Sequence, residues 1–419
     1  MGISDRLNKY ILVDGFHVVV DTRKSEGSWI VDAESGKRYL DCYSQFASQV
    51  LGWNHPYMDG WKCRLQDAAL HKIANADMYC EDYTLFVEKF AEITPDFKHY
   101  FFIDGGSLGV ENALKAAFDW KHQRIAATSP HPPANLDIIH FQQAFHGRTG
   151  YTLSLTNNGG PDDFNVKTKW FPRFNWTRVT NPKIVFPINE NELQKSEAIA
   201  VHEITGALEK GNVAAIIIEP IQGEGGDNQF RKEFFVKLRQ LADLHEAMLI
   251  FDEVQTGVAL TSKMWCYEHY GVIPDMMCFG KKTQVCGFCS TDRIDSVSTN
   301  VFNVSGRINS TWSGNIVDMV RSRITIQAIQ DLYLCEQVER VGSYFLSKMN
   351  ELKLENSRGL GLMLAFDLET TQRRDEVYNN LSRNMLMLKS GSRSIRFRPT
   401  LTFTKKDVDC AIEFLKEAI

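Results

Sequence analysis

Four short apolar runs, His99 to Ile103, Leu136 to Phe141, Ala214 to Glu219 and Met248 to Phe251, constrain this 419-residue chain more than any other feature. Helical stretches such as Asn112 to Trp120 and Lys232 to Glu246 lie between them. Runs with no polar alternation are strands buried on both faces, and their alternation with helices predicts an α/β fold with a mostly parallel sheet. Such sheets place ligands beyond the carboxyl ends of their strands. Before about residue 60 the chain reads as strands and turns, with a hairpin expected from Ser28–Val31 and Arg38–Asp41 around Asp32-Ala-Glu-Ser-Gly36. After about residue 310 a long helix from Asn315 through Cys335 and onward leads to a second β-containing unit. Its strands are expected at Leu362 to Leu368 and Ser394 to Phe397, and its last helix at Lys406 to Ala418. Thr128 to Ala134 and Asn157 to Asp163 read as surface loops.

Composition narrows the function classes. With 43% hydrophobic and 24% charged residues, the chain is globular and long enough for two or three domains. A net charge of −5 offers no attraction for nucleic acid or an anionic membrane, so neither is expected as a partner. No apolar run approaches the roughly 20 residues that span a bilayer, and the first residues lack an apolar signal core; a cytoplasmic location is expected. Nine scattered cysteines fit reduced thiols. Cys286-Gly-Phe-Cys289 lacks a second pair and His245-Glu246 lacks a second histidine, so no metal site is expected. A small-molecule enzyme or a protein-binding module remains.

Three motifs carry chemistry. The run Ala247 to Phe251 ends in Asp252-Glu-Val254-Gln255-Thr-Gly257, and Cys278-Phe-Gly280-Lys281-Lys282-Thr follows. A carboxylate at the end of one buried strand and a lysine at the end of another are what pyridoxal 5'-phosphate (PLP) requires. The lysine holds the cofactor as an imine, and the aspartate keeps its ring nitrogen protonated. The residues alone leave Lys281 and its neighbour Lys282 as alternatives. Next, Asp104-Gly-Gly106-Ser107-Leu-Gly109 opens a helix whose free N–H groups suit a phosphate, with the Ser107 hydroxyl as a further donor. Last, Phe145-His146-Gly-Arg148 sets an aromatic ring to stack on a flat cofactor and a guanidinium to grip a carboxylate.

Together with Gln222-Gly-Glu224-Gly-Gly226, Asn309-Ser-Thr311-Trp312 and Ile395-Arg396-Phe-Arg-Pro399, these motifs resemble the class III, ω-amino-group aminotransferases of PLP fold type I. The resemblance runs from about Gly27 to the C-terminus and is strongest to members acting on the ε-amino group of lysine. It implies a large PLP-binding domain over residues 61–310, with a smaller α+β domain formed by 311–419 and the N-terminal segment 1–60. It implies Lys281 as the Schiff-base lysine; adjacent Lys282 is the one ambiguity, and if it is not that lysine it is expected to be a solvated or phosphate-side charge. Asp252 would pair with the ring nitrogen and Gln255 with the ring 3-oxygen. Val254 and Phe145 would flank the ring, and the backbones of Gly106 and Ser107 would hold the phosphate. Thr311 would reach the phosphate of the neighbouring subunit in a homodimer with shared sites.

For substrates, the resemblance implies L-lysine as donor and 2-oxoglutarate as acceptor, which becomes glutamate. Arg148 would bind the carboxylate far from the reacting carbon, Asn309 would line the substrate pocket, and Glu224 would mask Arg396 until the keto acid needs it. Arg398 is expected to be a structural neighbour. Asp104, Ser107 and Pro399-Thr400 depart mildly from the family pattern, and Ser44 to Gln49 departs more, which leaves ornithine or 4-aminobutyrate as alternative donors. A catalytically silent PLP-fold binding protein is a further alternative, opposed by the joint presence of Lys281, Asp252, Gln255 and Arg148.

Overall fold

A computed structural model describes residues 2–158 and 166–419, so most of the loop expected from Asn157 to Asp163 lies outside the described residues. Its centre is a seven-stranded sheet in the order His99–Ile103, Cys286–Ser290, Met276–Phe279, Met248–Asp252, Val213–Ile218, Asp137–Phe141, Arg178–Val179. From Met276–Phe279 to the far edge all neighbours are parallel. Cys286–Ser290 runs antiparallel to both its neighbours.

The expected burial on both faces is present, and its period of two explains why the runs carry no polar alternation. Ala215, Ile217, Met248 and Ile250 face one core, where Val110, Ala113, Leu114 and Ala117 of helix Gly106–Ala126 cover them. Ile216, Ile218, Leu249 and Phe251 face the other, packed with Phe234, Phe235 and Leu238 of helix Lys232–Leu244. Cys286–Ser290 was not among the expected strands. Its cysteines stand three residues apart, which puts them on opposite faces of a strand, and both thiols are free.

The second unit is a four-stranded sheet in the order Glu355–Leu360, Met363–Asp367, Ser394–Phe397, Leu388–Ser390, antiparallel throughout. The last helix, Lys405–Ala418, begins at a reciprocal cap between Thr404 and Asp407. The hairpin pairs Trp29–Val31 with Arg38–Asp41, and Leu40 and Asp41 also pair in parallel with Met385 and Leu386, joining the first residues to the last hundred. The single long helix expected after Asn315 is two, Ile316–Asp331 and Leu334–Glu351. Tyr333, at φ +51, takes the left-handed conformation that a continuous right-handed helix excludes.

Helix Gly106–Ala126 lies backbone to backbone on the sheet at Gly109, where a Cβ would stand 2.7 Å from the Gly287 carbonyl oxygen. Gly109→Ala is therefore expected to destabilise the fold by about 1–3 kcal/mol, the range for forced overpacking. The check is a lower urea midpoint with an unchanged slope.

Candidate active site

Connections leaving the carboxyl ends of the central strands, together with part of the N-terminal segment, enclose a cavity of about 720 Å3. This size suits a cofactor and a small substrate. Gly106, Ser107, Phe145, Arg148, Glu224, Asp252, Val254, Gln255 and Lys281, all expected from sequence, line it. Asn309 and Thr311 do not; both are exposed on the loop before helix Ile316–Asp331. Arg396 lies one layer behind, bonded to two lining residues, Glu224 and Gln255.

Asp252 ends its strand 5% exposed, and its Oδ2 is 2.8 Å from His146 Nδ1. A ring nitrogen facing a carboxylate carries the proton, so His146 donates here. Oδ1 accepts the Val254 N–H at 3.1 Å, while His146 Nε2 is buried with no partner among the described residues. Glu219 lies beside this pair and accepts the N–H groups of Phe145 at 2.9 Å and Gly223 at 3.1 Å. Burial pushes its carboxyl up to about 7, the nearby His146 holding it back and the Asp252 charge adding to the rise. Neither His146 nor Glu219 received a role from sequence. Glu219 had the same signal as Asp252, a carboxylate closing an apolar run.

The two adjacent lysines part company. Gly280 is extended and Lys281 left-handed at φ +53, and this turn sends the Lys281 side chain into the cavity. Burial lowers its ammonium pKa, with the Asp252 charge opposing. Lys282 points away and is 2% exposed, its Nζ donating to the Ala47 carbonyl at 2.6 Å. Burial first, and the Lys281 charge second, bring it down to about 7. The expectation that Lys282 is a solvated or phosphate-side charge is corrected: it is a buried tether to the N-terminal segment. There Ser44 to Ala47 form a left-handed turn, with φ between 41° and 65°. Asp41 Oδ1 accepts the Ser44 N–H at 2.7 Å, and Ser44 Oγ donates to the Arg398 carbonyl at 2.5 Å. Phe46 and Ser48 thereby reach the cavity wall, and Gln284 Nε2 donates to the Ser48 carbonyl at 2.8 Å. Apart from the local Asp41–Ser44 bond, these contacts join segments more than 200 residues apart, and no local sequence signal announces them.

At the opposite wall, Gly105 at φ +101 turns the chain from strand into helix, leaving the Gly106 and Ser107 N–H groups without helical acceptors. The Ser107 hydroxyl is already engaged. It accepts the N–H groups of Arg148 at 3.0 Å and Thr149 at 3.2 Å and lies 2.7 Å from Thr152 Oγ1. It therefore binds the glycine turn to the Phe145 loop, and an anion at this helix start would rest on backbone N–H groups.

Gln255 is oriented by arginines. Its Oε1 accepts from Arg398 Nη2 at 3.1 Å and Nε at 3.3 Å, and from Arg396 Nη1 at 3.5 Å, leaving the amide N–H2 as the donor end. Arg398, 1% exposed, also pairs with buried Asp227, which makes it a structural neighbour as expected. Arg396 Nη2 donates to Glu224 Oε2 at 2.5 Å, and Lys167 Nζ donates to Glu224 Oε1 at 2.7 Å. Burial pushes the Glu224 carboxyl up, but the charges of Arg396 and Lys167 outweigh it and hold it at about 2. Arg148 is exposed at the cavity mouth, with no carboxylate paired to it among the described residues.

A carboxylate at the cavity base, a lysine opening into it, flanking Val254 and Phe145, and free helix-start N–H groups match a phosphorylated aromatic aldehyde. The class III aminotransferase family model matches residues 11–419, and the chain belongs to that family, whose members use PLP. The L-lysine-epsilon aminotransferase of Mycobacterium tuberculosis is 42% identical over 431 residues, covering 100% of this chain and 95% of the relative. A solved lysine aminotransferase from M. tuberculosis in the internal aldimine form superposes with a TM-score of 0.96 at 42% identity, covering 100% of this chain and 98% of that one. A 4-aminobutyrate aminotransferase of Kluyveromyces lactis is more distant, 33% identical over 96% of this chain and 90% of the relative.

Glu219 makes a pH prediction. The folded chain keeps its proton up to about 7, whereas the unfolded chain releases it near 4.5, so folding stability contributed here falls as pH rises between the two. Glu219→Gln is expected to flatten that part of the pH dependence, read as urea midpoints at pH 5 and pH 7.5.

Proposed function

We propose that this chain transfers the ε-amino group of L-lysine to 2-oxoglutarate. The products are glutamate and 2-aminoadipate 6-semialdehyde, which cyclises to piperideine-6-carboxylate. The observation that carries the reading is the buried Arg396, just behind the cavity wall and masked by the lining Glu224 at 2.5 Å, in a site that also holds the exposed Arg148. A donor that reacts at an ω-amine brings no carboxylate to the reacting end, so a cation there must be neutralised. A keto acid does bring one, and needs the cation uncovered. The sequence relationship favours lysine over 4-aminobutyrate as donor.

Bound PLP supplies an electron sink that acidifies the C–H bond next to the transferred nitrogen. Lys281 would hold the cofactor and, as a free amine, would move the proton at the substrate carbon. Its lowered pKa gives more of the free base that this task requires. Asp252, braced by His146, would keep the ring nitrogen protonated. The Gly106 and Ser107 N–H groups would hold the phosphate, Val254 and Phe145 would flank the ring, and the Gln255 amide N–H2 would serve the ring oxygen. Arg148 takes the lysine α-carboxylate and the distal carboxylate of 2-oxoglutarate.

The exposed positions of Asn309 and Thr311 favour a homodimer in which Thr311 serves the neighbouring subunit's phosphate and Asn309 the substrate pocket. Division into 61–310 and a small domain of 1–60 with 311–419 is supported by the pairing of Leu40 with Met385. Among the described residues no helix is long and apolar enough to cross a membrane, and we place the enzyme in the cytoplasm.

A donor panel against 2-oxoglutarate tests the reading: lysine is expected to yield glutamate faster than ornithine or 4-aminobutyrate, and the reverse order rejects lysine. Lys281→Ala is expected to lose the visible band of the bound cofactor and to lower turnover by more than about 100-fold. If Lys282→Ala lost that band while Lys281→Ala kept it, the assignment would pass to the neighbour.

A further inference from the structure

We propose that Lys167 is a positioning residue for the change of substrate: it holds the Glu224 carboxylate when that group leaves Arg396, and so favours binding of the dicarboxylate acceptor. The inference deepens the reading above and rests on it.

The two oxygens of Glu224 are divided between two cations, Oε2 on Arg396 at 2.5 Å and Oε1 on Lys167 at 2.7 Å. The backbone around Glu224 is fixed. Its carbonyl accepts the Gly391 N–H at 3.0 Å, and the Gly226 carbonyl accepts Arg358 Nε at 3.1 Å. Uncovering Arg396 is therefore a rotation of one side chain. A half-buried carboxylate that gave up a lone guanidinium would have to recruit water or take up a proton, both costly in a cavity filled by cofactor and substrate. With Lys167 in place, one charge-assisted hydrogen bond survives the rotation. Lys167 Nζ lies 5.2 Å from the centre of the Phe145 ring, and the Arg148 guanidinium lies 6.0 Å from the same ring. Lys167 and Arg148 thus both border the Phe145 ring, and a Glu224 that leaves Arg396 while keeping Lys167 stays within the wall that Phe145 forms. Lys167 belongs to none of the motifs that carry the family resemblance.

The test uses holoenzyme and its two half-reactions, followed through the cofactor's absorbance: the resting form mixed with L-lysine, and the aminated form mixed with 2-oxoglutarate. Lys167→Gln is expected to raise the half-saturating concentration of 2-oxoglutarate roughly tenfold, about the worth of one hydrogen bond to a charged group. The constant for lysine should move by less than about twofold, and Lys167→Arg should restore the acceptor value. Equal changes in both half-reactions, or none in either, overturn the proposal. Wild-type enzyme that ignores lysine but takes another ω-amine overturns the donor assignment instead, and the acceptor half-reaction of Lys167→Gln still decides the role of Lys167.

Discussion

A carboxylate buried at the end of a parallel strand is the constraint around which the site is ordered. Asp252 sits where desolvation disfavours charge, and two neighbours compensate: the Nδ1–H of His146 and the backbone N–H of Val254. Each fixes another wall of the cavity. His146 fixes the loop carrying Phe145 and Arg148. The turn at Val254 leads to Gln255, whose orientation is set in turn by Arg398 from the other unit. Loss of either bond would leave a buried charge part-compensated, which costs more than an ordinary contact is worth.

Two glutamates of the same cavity are driven in opposite directions by their surroundings. Glu219, buried among backbone donors beside Asp252, is pushed up to about 7, whereas Glu224, flanked by two cations, is held at about 2. The division suits a site that handles both an amine and two carboxylates at neutral pH. One acid shares its surroundings without adding a full charge near Asp252, and the other stays ionised to cover a guanidinium.

Much of the central sheet was legible because burial on both faces leaves an unbroken apolar signature, and much of the site was legible because its residues follow those strands directly. What escaped reading was built by distance. The strand Cys286–Ser290 is short and interrupted by glycine, and its pairing with His99–Ile103 across nearly two hundred residues leaves no local mark. The break at Tyr333 lies in a helix-compatible sequence with no glycine or proline to mark it. Lys281 and Lys282 are chemically identical in sequence; only the left-handed turn after Gly280 separates a side chain in the cavity from one tied to Ala47. Lys167 lies in a polar stretch without periodicity, and nothing in that stretch points to Glu224, which its Nζ meets 57 residues on.

The tether between Lys282 and Ala47 has a consequence for how specificity could drift. The turn from Ser44 to Ala47 brings Phe46 and Ser48 to the cavity wall, so it is a natural place for selection to reshape the pocket for a different amine. Its backbone, however, is the anchor for Lys282, the residue next to Lys281. Changes that relax the turn would loosen Lys281 at the same time, so altered substrate choice and weakened chemistry would tend to arrive together. Substitutions confined to the side chains of residues 46 and 48, with the left-handed backbone kept, avoid that entanglement.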